Sequence, residues 1–325
     1  MRQAGRRIAR IAFAGLLFAT VTGCRNNDTH KPVDTQPSPP TKGPTHVKLD
    51  AKPEKLVGGC QFCEGPAFGP DGWLYFVNVH GGFISKVSMA GELKRVADSP
   101  TPNGGQFDAK GNYVVCECKR KAIISVTPEG KISTVVDNYQ GRPFNGPNDI
   151  AIDADGGFYF TDPDGSSLDH RIGAVYYVRP DKTVVQVAKD MAYPNGVNIT
   201  ADRSAVVVAE TLTHQIHKYE RKADGTFGKH EVLCHIDGGV GPDGMCFDEQ
   251  GNLYAAWYGS AGVYAIDPAG KVLGKIGLPG DNPTNCCFGP PGTKWATWLF
   301  ITETATDTIY RCDVGVPGMR IRPEA

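Results

Sequence analysis

The 325-residue sequence holds no apolar run of the roughly 20 residues that a membrane-spanning helix needs. It also holds no window with a sustained 3.6-residue apolar period, so helical bundles are excluded and helix should be scarce. Charge is sparse, at 21% of residues, with a formal net charge of −1. That value hides an asymmetry. Residues 1–23 carry four Arg and no acid, and residues 25–46 carry three basic and two acidic groups, which leaves the remaining body near −6. Nucleic-acid binding, which depends on clustered Lys and Arg, is a poor match for that body. No phosphate loop occurs. Gly239-Val240-Gly241-Pro242-Asp243-Gly244 has the literal spacing of a dinucleotide fingerprint, but it runs into a strand-like segment instead of a helix. Ser260 lacks the glycine two residues earlier that a nucleophile elbow requires. There is one C-x-x-C pair, Cys60 and Cys63, and no second to complete a zinc site. What the chain does have is turn formers, 40 Gly and 24 Pro.

The amino-terminal segment has a basic start, an apolar run from Ile11 to Val21 and then Val21-Thr22-Gly23-Cys24, which resembles a bacterial lipobox. The expectation is a signal peptide at 1–23, a lipidated Cys24 and a Pro-rich flexible tether over 24–46, with Pro32, Pro37, Pro39, Pro40 and Pro44. The chain would then be an exported bacterial lipoprotein, periplasmic or surface-facing, touching a membrane only through the acyl group on Cys24. Nine cysteines follow Cys24, an odd number. Most are expected to be small buried hydrophobes, with Cys60–Cys63 the one local disulfide to consider.

Residues 47–325 contain an internal repeat. Six segments begin at Glu64, Asn103, Asn148, Asn195, Asp243 and Asn285, and a turn residue, usually Gly, recurs seven or eight positions later, as at Gly72, Gly111, Gly156, Gly251 and Gly292. An apolar strand and further β-rich runs follow each turn. Four short antiparallel strands per unit, six times over, predict an all-β fold, a six-bladed β-propeller, with residues 47–58 supplying a strand to the last blade. A two-sheet sandwich would not predict six equal phases.

In a propeller the innermost strands run the same way along one channel, so the six starting residues gather at one mouth. Every one of them bears a side-chain oxygen. Two carboxylates and several amide carbonyls on one axis suit a hard cation, and Ca²⁺ in particular, which takes six to eight oxygens in loose geometry. Zinc would favour His or Cys.

Glu64-Gly65-Pro66, Asn148-Asp149, Pro194-Asn195-Gly196 and Pro242-Asp243-Gly244-Met245 resemble the signature segments of the gluconolactonase/regucalcin (senescence marker protein) family, over about residues 55–315. The resemblance implies a six-bladed propeller whose catalytic calcium is held by Glu64, Asn148, Asn195 and Asp243. Asn103 and Asn285 occupy the other two blades and are expected to contact substrate. The pattern Asn145-Gly146-Pro147-Asn148-Asp149 matches the bacterial gluconolactonase-like form, in which Asn145 is a further substrate contact. Mammalian members carry Arg where this chain has Gly146, so the departure bears on sugar-lactone specificity and not on the metal set.

The chemistry expected is hydrolysis of a small-molecule lactone by a monomer. Asp243 is the candidate general base, Asp149 orients the ligand set from behind, and His80 is an alternative base on the rim. Loops after each second strand form that rim and bring Asn78, His80, Glu117, Asp162, Asp164, Glu210, His214, Trp257, Tyr258 and Glu303 towards a substrate, with Asp162 the preferred contact. Two other readings use the same cation: a non-catalytic ligand-binding propeller with structural calcium, and a phosphotriesterase.

Overall fold

The computed structural model describes residues 46–320. The expected signal peptide, Cys24 and most of the tether lie outside the described residues. Six four-stranded antiparallel sheets follow one another in the chain as the blades of a propeller. Helix is confined, among the described residues, to one 3₁₀ turn, Thr211–Thr213.

The inner strands of blades 1 to 6 are Cys63–Phe68, Pro102–Phe107, Ile150–Ile152, Pro194–Ile199, Gly241–Phe247 and Pro283–Phe288. The second strands are Leu74–Asn78, Tyr113–Glu117, Phe158–Asp162, Ala205–Glu210, Leu253–Tyr258 and Trp298–Glu303. These second strands are apolar almost without interruption, and their burial explains why. Alternate residues point to opposite faces, and each face is covered by a different neighbouring blade. Tyr113 and Val115 pack with Tyr75 and Val77 of blade 1, whereas Val114 and Cys116 pack with Phe158 and Phe160 of blade 3. Six apolar clusters fill six seams in this way. No backbone ladder crosses a seam, so the sheets adhere through side-chain packing.

Closure is as expected. Glu54–Gly58 pairs antiparallel with Thr308–Asp313 as the outer strand of blade 6, with Glu54 opposite Arg311 and Gly58 opposite Thr308. Arg311 Nε donates to Glu54 Oε1 at 2.8 Å. A short hairpin that the repeat did not predict, Asn138–Tyr139 with Arg142–Pro143, is inserted between blades 2 and 3. All nine described cysteines are free thiols, Cys60 and Cys63 among them, so the one local bridge considered is not formed; seven are buried and serve as the small apolar packing groups expected.

Candidate metal and substrate site

The six oxygen-bearing residues all lie at the leading ends of the inner strands. Glu64, Asn103, Asn195, Asp243 and Asn285 are in those strands, and Asn148 stands two residues ahead of Ile150. In blades 1, 2, 4, 5 and 6 the ladder to the second strand breaks at this point. Register shifts fall between Glu64 and Ala67, Pro102 and Gly105, Pro194 and Val197, Pro242 and Met245, and Pro283 and Asn285. Such bulges release residues from the pleat and re-aim their side chains.

The residue after the oxygen ligand is Gly in blades 1, 2, 4 and 5, and the reason is the next blade. A Cβ on Gly104 would stand 2.2 Å from Asp149 Oδ1, one on Gly196 would stand 2.2 Å from the Asp243 carbonyl oxygen, and one on Gly244 would stand 2.0 Å from Asn285 Cγ. Each glycine therefore makes room for the following blade's ligand segment, and the six segments are drawn together around the axis. We expect Gly244→Ala to displace Asn285 and to cost about 1–3 kcal/mol, as overpacking does. A thermal melt of the variant beside wild type checks this.

The contacts at the axis are mutual. Asn285 Nδ2 donates to Glu64 Oε2 at 3.1 Å, and the same oxygen accepts from the Gly65 backbone at 2.6 Å. Asn195 stands close enough to Asp243 to favour its carboxylate form, against the burial that opposes it. Asp149 Oδ2 accepts from Val197 N at 3.2 Å, which ties blade 3 to blade 4. Glu64, Asp149 and Asp243 are all buried. Burial, and then the charge of Asp149, push the Glu64 carboxyl up to about 8. Burial pushes Asp149 up to about 7. Burial, and then Glu64 and Asp149, hold Asp243 well above the carboxylate range. Three acids packed this closely oppose one another's ionisation, and a cation among them would relieve the repulsion.

A second observation bears on the cation. Asn103 Oδ1 and Asn195 Oδ1 are buried acceptors without a hydrogen-bond partner. An orphaned amide oxygen in a dry site is costly, and ligation of a hard cation satisfies it. Among the described residues no three His, Cys, Asp or Glu side chains group as a ligand set. A cation here would accordingly be held by two carboxylates and amide oxygens. The donor chemistry fits Ca²⁺.

The other expected site residues lie further out. Asn285 is engaged with Glu64, whereas Asn103 Nδ2 faces Cys118 Sγ at 3.9 Å and leaves its oxygen free for the axis. Asp162 is fully buried, and its two oxygens accept from Asn145 N at 2.8 Å and Gly146 N at 2.7 Å. It shapes the loop that leads to Asn148, and its carboxylate is not presented on the rim. Asn145 itself is half-buried, with its amide on the Ile172 carbonyl at 3.3 Å. His80 is exposed on the rim, its ring 4.6 Å from that of Phe62. Burial and not a charge partner is the leading influence on its imidazole, which it lowers.

Asp162 belongs to a pattern that sequence reasoning missed. The residue that ends each second strand turns back to hold the loop entering its own blade's inner strand. Asn78 Oδ1 accepts from Gln61 N at 3.0 Å, Glu117 Oε1 from Thr101 N, Glu210 Oε1 from Ala192 N, and Glu303 Oε1 from Asn282 N at 2.9 Å. Blade 5 departs from this: the holder is the penultimate residue of the strand and the polarity is reversed, the Trp257 indole donating to the Gly238 carbonyl at 2.7 Å. Polar residues at the ends of apolar strands look like substrate contacts in a sequence. Here they are holders of the loops ahead of the ligands. A partial signal was the six-residue spacing from the turn glycine in four blades, Gly72 to Asn78, Gly111 to Glu117, Gly156 to Asp162 and Gly251 to Trp257.

A cavity of about 520 Å³ opens at the other end of the inner strands. Phe68, Phe107, Met245, Phe247 and Phe288 line it, and Asp149 and Asn285 reach it from the axis. It is the lower channel, on the far side from the converged oxygens, and the chemistry described above does not depend on it.

Comparison with known proteins agrees with this geometry. Residues 62–305 match the family described as SMP-30/Gluconolactonase/LRE-like region. A gluconolactonase of Zymomonas mobilis is 33% identical over 224 residues, covering 63% of this chain and 61% of that protein, so the chain matches less than two thirds of that relative's length. Lactonase drp35 of Staphylococcus aureus is 30% identical over 230 residues, covering 67% of this chain and 70% of that protein. The structure of a gluconolactonase from Xanthomonas campestris superposes with a TM-score of 0.73 at 26% identity, covering 83% of this chain and 91% of that one. Regucalcin from Agrobacterium tumefaciens, a calcium-binding protein, shares the fold with a TM-score of 0.70 at 19% identity, over 86% and 96% of the two chains. The chain belongs to the SMP-30/gluconolactonase/LRE-like family.

Proposed function

We propose that the protein is a calcium-dependent hydrolase that opens lactones. The observation that carries this reading is the pair of orphaned buried oxygens, Asn103 Oδ1 and Asn195 Oδ1, set among three buried acids. The gluconolactonase and lactonases among its relatives support the substrate class.

Glu64, Asn148, Asn195 and Asp243 would hold the ion. Bound there, Ca²⁺ supplies a Lewis acid able to polarise a lactone carbonyl and stabilise the charge that gathers on its oxygen. The chain's own groups do the rest. Asp243 accepts a proton from the attacking water and returns it to the ring oxygen as the C–O bond breaks. Asn285 and the Gly65 N–H fix Glu64 Oε2, so that this carboxylate does not compete for the water proton. Asp149 ties blades 3 and 4 together through Val197 N and holds Asn148 in register with Asn195. Asn103 and Asn145 are the substrate contacts we favour, Asn103 for the unpartnered Oδ1 at the start of its inner strand and Asn145 for its place on the loop that Asp162 holds.

Chelation tests the reading. The purified protein is assayed against aldonolactones, aliphatic lactones and organophosphates, before and after treatment with EGTA and again after calcium is restored. We expect lactone opening to fall below about 1% on chelation and to return with calcium, the magnitude carried by an electrostatic group of this kind. Activity indifferent to chelator would sink the metal mechanism. Silence across the panel, with calcium still bound, would favour a binding module, and turnover of organophosphates alone would make it a phosphotriesterase. The leader and tether add a second proposal, that Cys24 is acylated and carries the propeller on an exported lipoprotein. Mass spectrometry of the amino-terminal peptide from native membranes checks it.

A further inference from the structure

Glu210, the holder of blade 4, is unlike its counterparts in what lies behind it. Its Oε1 accepts from Ala192 N, and Arg171 Nη1 approaches the same oxygen at 3.8 Å. Its Oε2 accepts from Thr213 Oγ1 at 2.7 Å and meets His217 Nε2 at 2.9 Å. His217 is buried, and its Nδ1 lies 2.9 Å from His230 Nε2. His230 is exposed, and its ring stacks on that of Tyr219 at 4.6 Å. A chain of side-chain contacts thus runs from the blade surface through two imidazoles and a carboxylate to the backbone of Ala192.

What Ala192 belongs to gives that chain its use. Asp190 and Tyr193 are non-glycine residues at φ 58° and 65°, a left-handed conformation that costs each about 1 kcal/mol or more. Such a turn persists only when its surroundings hold it. The bonds that do so include Ala192 N to Glu210, Tyr193 N to Ser166 Oγ at 2.7 Å, Thr211 N to the Tyr193 carbonyl at 3.0 Å and Leu212 N to the Ala192 carbonyl at 3.4 Å. Two residues beyond Tyr193 is Asn195, whose orphaned Oδ1 is one of the oxygens the cation needs.

We propose that His217 and His230 are positioning residues for the blade 4 ligand, acting through Glu210 and the Asp190–Tyr193 turn to keep Asn195 Oδ1 aimed at the cation. This rests on the calcium reading given above. The hydrogen bonding supports it. His217 Nε2–H donates to Glu210, which leaves Nδ1 either to accept from His230 Nε2–H or, when His217 carries a second proton, to donate to His230 Nε2. Either way the Nε2–H that Glu210 accepts is kept, and Glu210 stays bonded to Ala192 N. Burial alone would raise the Glu210 carboxyl, yet the bonds from His217, Ala192 and Thr213 keep it below the usual range. Glu231 and Arg171 are the other charged groups facing this chain, one on His230 and one on Glu210.

Calorimetric titration with calcium alone, on the full-length protein, separates this role from a structural one. His217→Ala is expected to weaken calcium binding about tenfold or more, the usual effect of removing a group behind a metal ligand. His217→Gln, whose amide reaches the Nε2 position and donates to Glu210, is expected to recover most of that loss. His230→Phe keeps the stack on Tyr219 and removes one hydrogen bond, and is expected to cost about threefold, so it decides the matter if His217→Ala fails to fold. Wild-type affinity in His217→Ala or His230→Phe, or no recovery in His217→Gln, overturns the proposal while leaving the calcium reading intact. A wild-type protein that binds no calcium overturns both.

Discussion

Asp243→Asn is expected to lower kcat about 10³-fold at saturating calcium, within the 10²–10⁴ span of a lost general base. The substitution is close to isosteric. The amide that replaces the carboxylate still offers an oxygen towards the axis, beside the Asn195 side chain that influences the carboxyl in the wild-type site. What disappears is the ability to take a proton from water, together with one negative charge. The two losses are separable. Calcium affinity falls because a carboxylate has become an amide, and raising calcium compensates for that alone. The deficit in kcat that remains measures the base. Turnover equal to wild type at saturating calcium removes Asp243 from the proton-transfer role. A companion effect has the opposite sign. In cation-free protein Asp243 is a buried acid pressed by Glu64 and Asp149, so neutralising it relieves a repulsion. The cation-free variant should therefore melt above cation-free wild type while gaining less from added calcium, a crossing of two melting curves that damage to the fold would not produce.

Removal of residues 46–58 is the other change with a large expected effect. Glu54–Gly58 is paired with Thr308–Asp313, and its Leu56 and Val57 pack against the cluster containing Phe300 and Ile309. Loss of that strand uncovers the backbone of Thr308–Asp313 as an open sheet edge and strips Leu56 and Val57, the two aliphatic side chains it contributes, from one seam, while Val47, Leu49 and Ala51 ahead of it leave the cluster between blades 5 and 6. Two such side chains are together worth about 3 kcal/mol, and the ladder bonds add about 2 kcal/mol more. At about 2–4 °C per kcal/mol the truncated protein should melt roughly 10–20 °C lower, and it should scatter light at concentrations where the full chain does not, because the open edge can pair with another molecule. A peptide spanning residues 52–60, added in excess, should recover part of the loss. An unchanged melting temperature would show that the seam between blades 6 and 1 carries the ring by itself.

How far the sequence could be read depended on whether a feature repeats in residue type. Glu64, Asn103, Asn148, Asn195, Asp243 and Asn285 recur at nearly equal spacing and are all oxygen-bearing, so both the blade number and the mouth of the channel were legible. The strand closing blade 6 was legible as well, because a ring of six equal units leaves its first strand without a partner. The glycines at 104, 196 and 244 were visible, but their reason was not. It lies in the next blade's ligand segment, a relation across 40 or so residues of chain that only the fold brings to about 2 Å. The bulges and loop holders were hidden for another reason. Asn78, Glu117, Asp162, Glu210, Trp257 and Glu303 share a geometric task but not a side-chain type, and a pattern defined by what the backbone offers does not appear as a motif. The Asn138–Pro143 hairpin interrupts the period and so lay outside it. The reading of the cysteines as small buried hydrophobes holds at Cys60 and Cys63, which pack as free thiols among Leu74, Phe76 and Ile309.

The loop holders also bear on how such a protein could change its ligand. Each holder and the loop it grips belong to the same blade, and some loops are also held from the blade before, by Ser166 at Tyr193 N and by Asp307 at Phe62 N, so a reshaped loop has to keep its own strand end and that one neighbour. Specificity can then drift sector by sector around the mouth while the central oxygens stay where they are. For a designer this means that a loop grafted into blade 3 has to preserve the Asp162 carboxylate that grips Asn145 and Gly146 and the Cys118 contact from blade 2 to the Pro147 carbonyl.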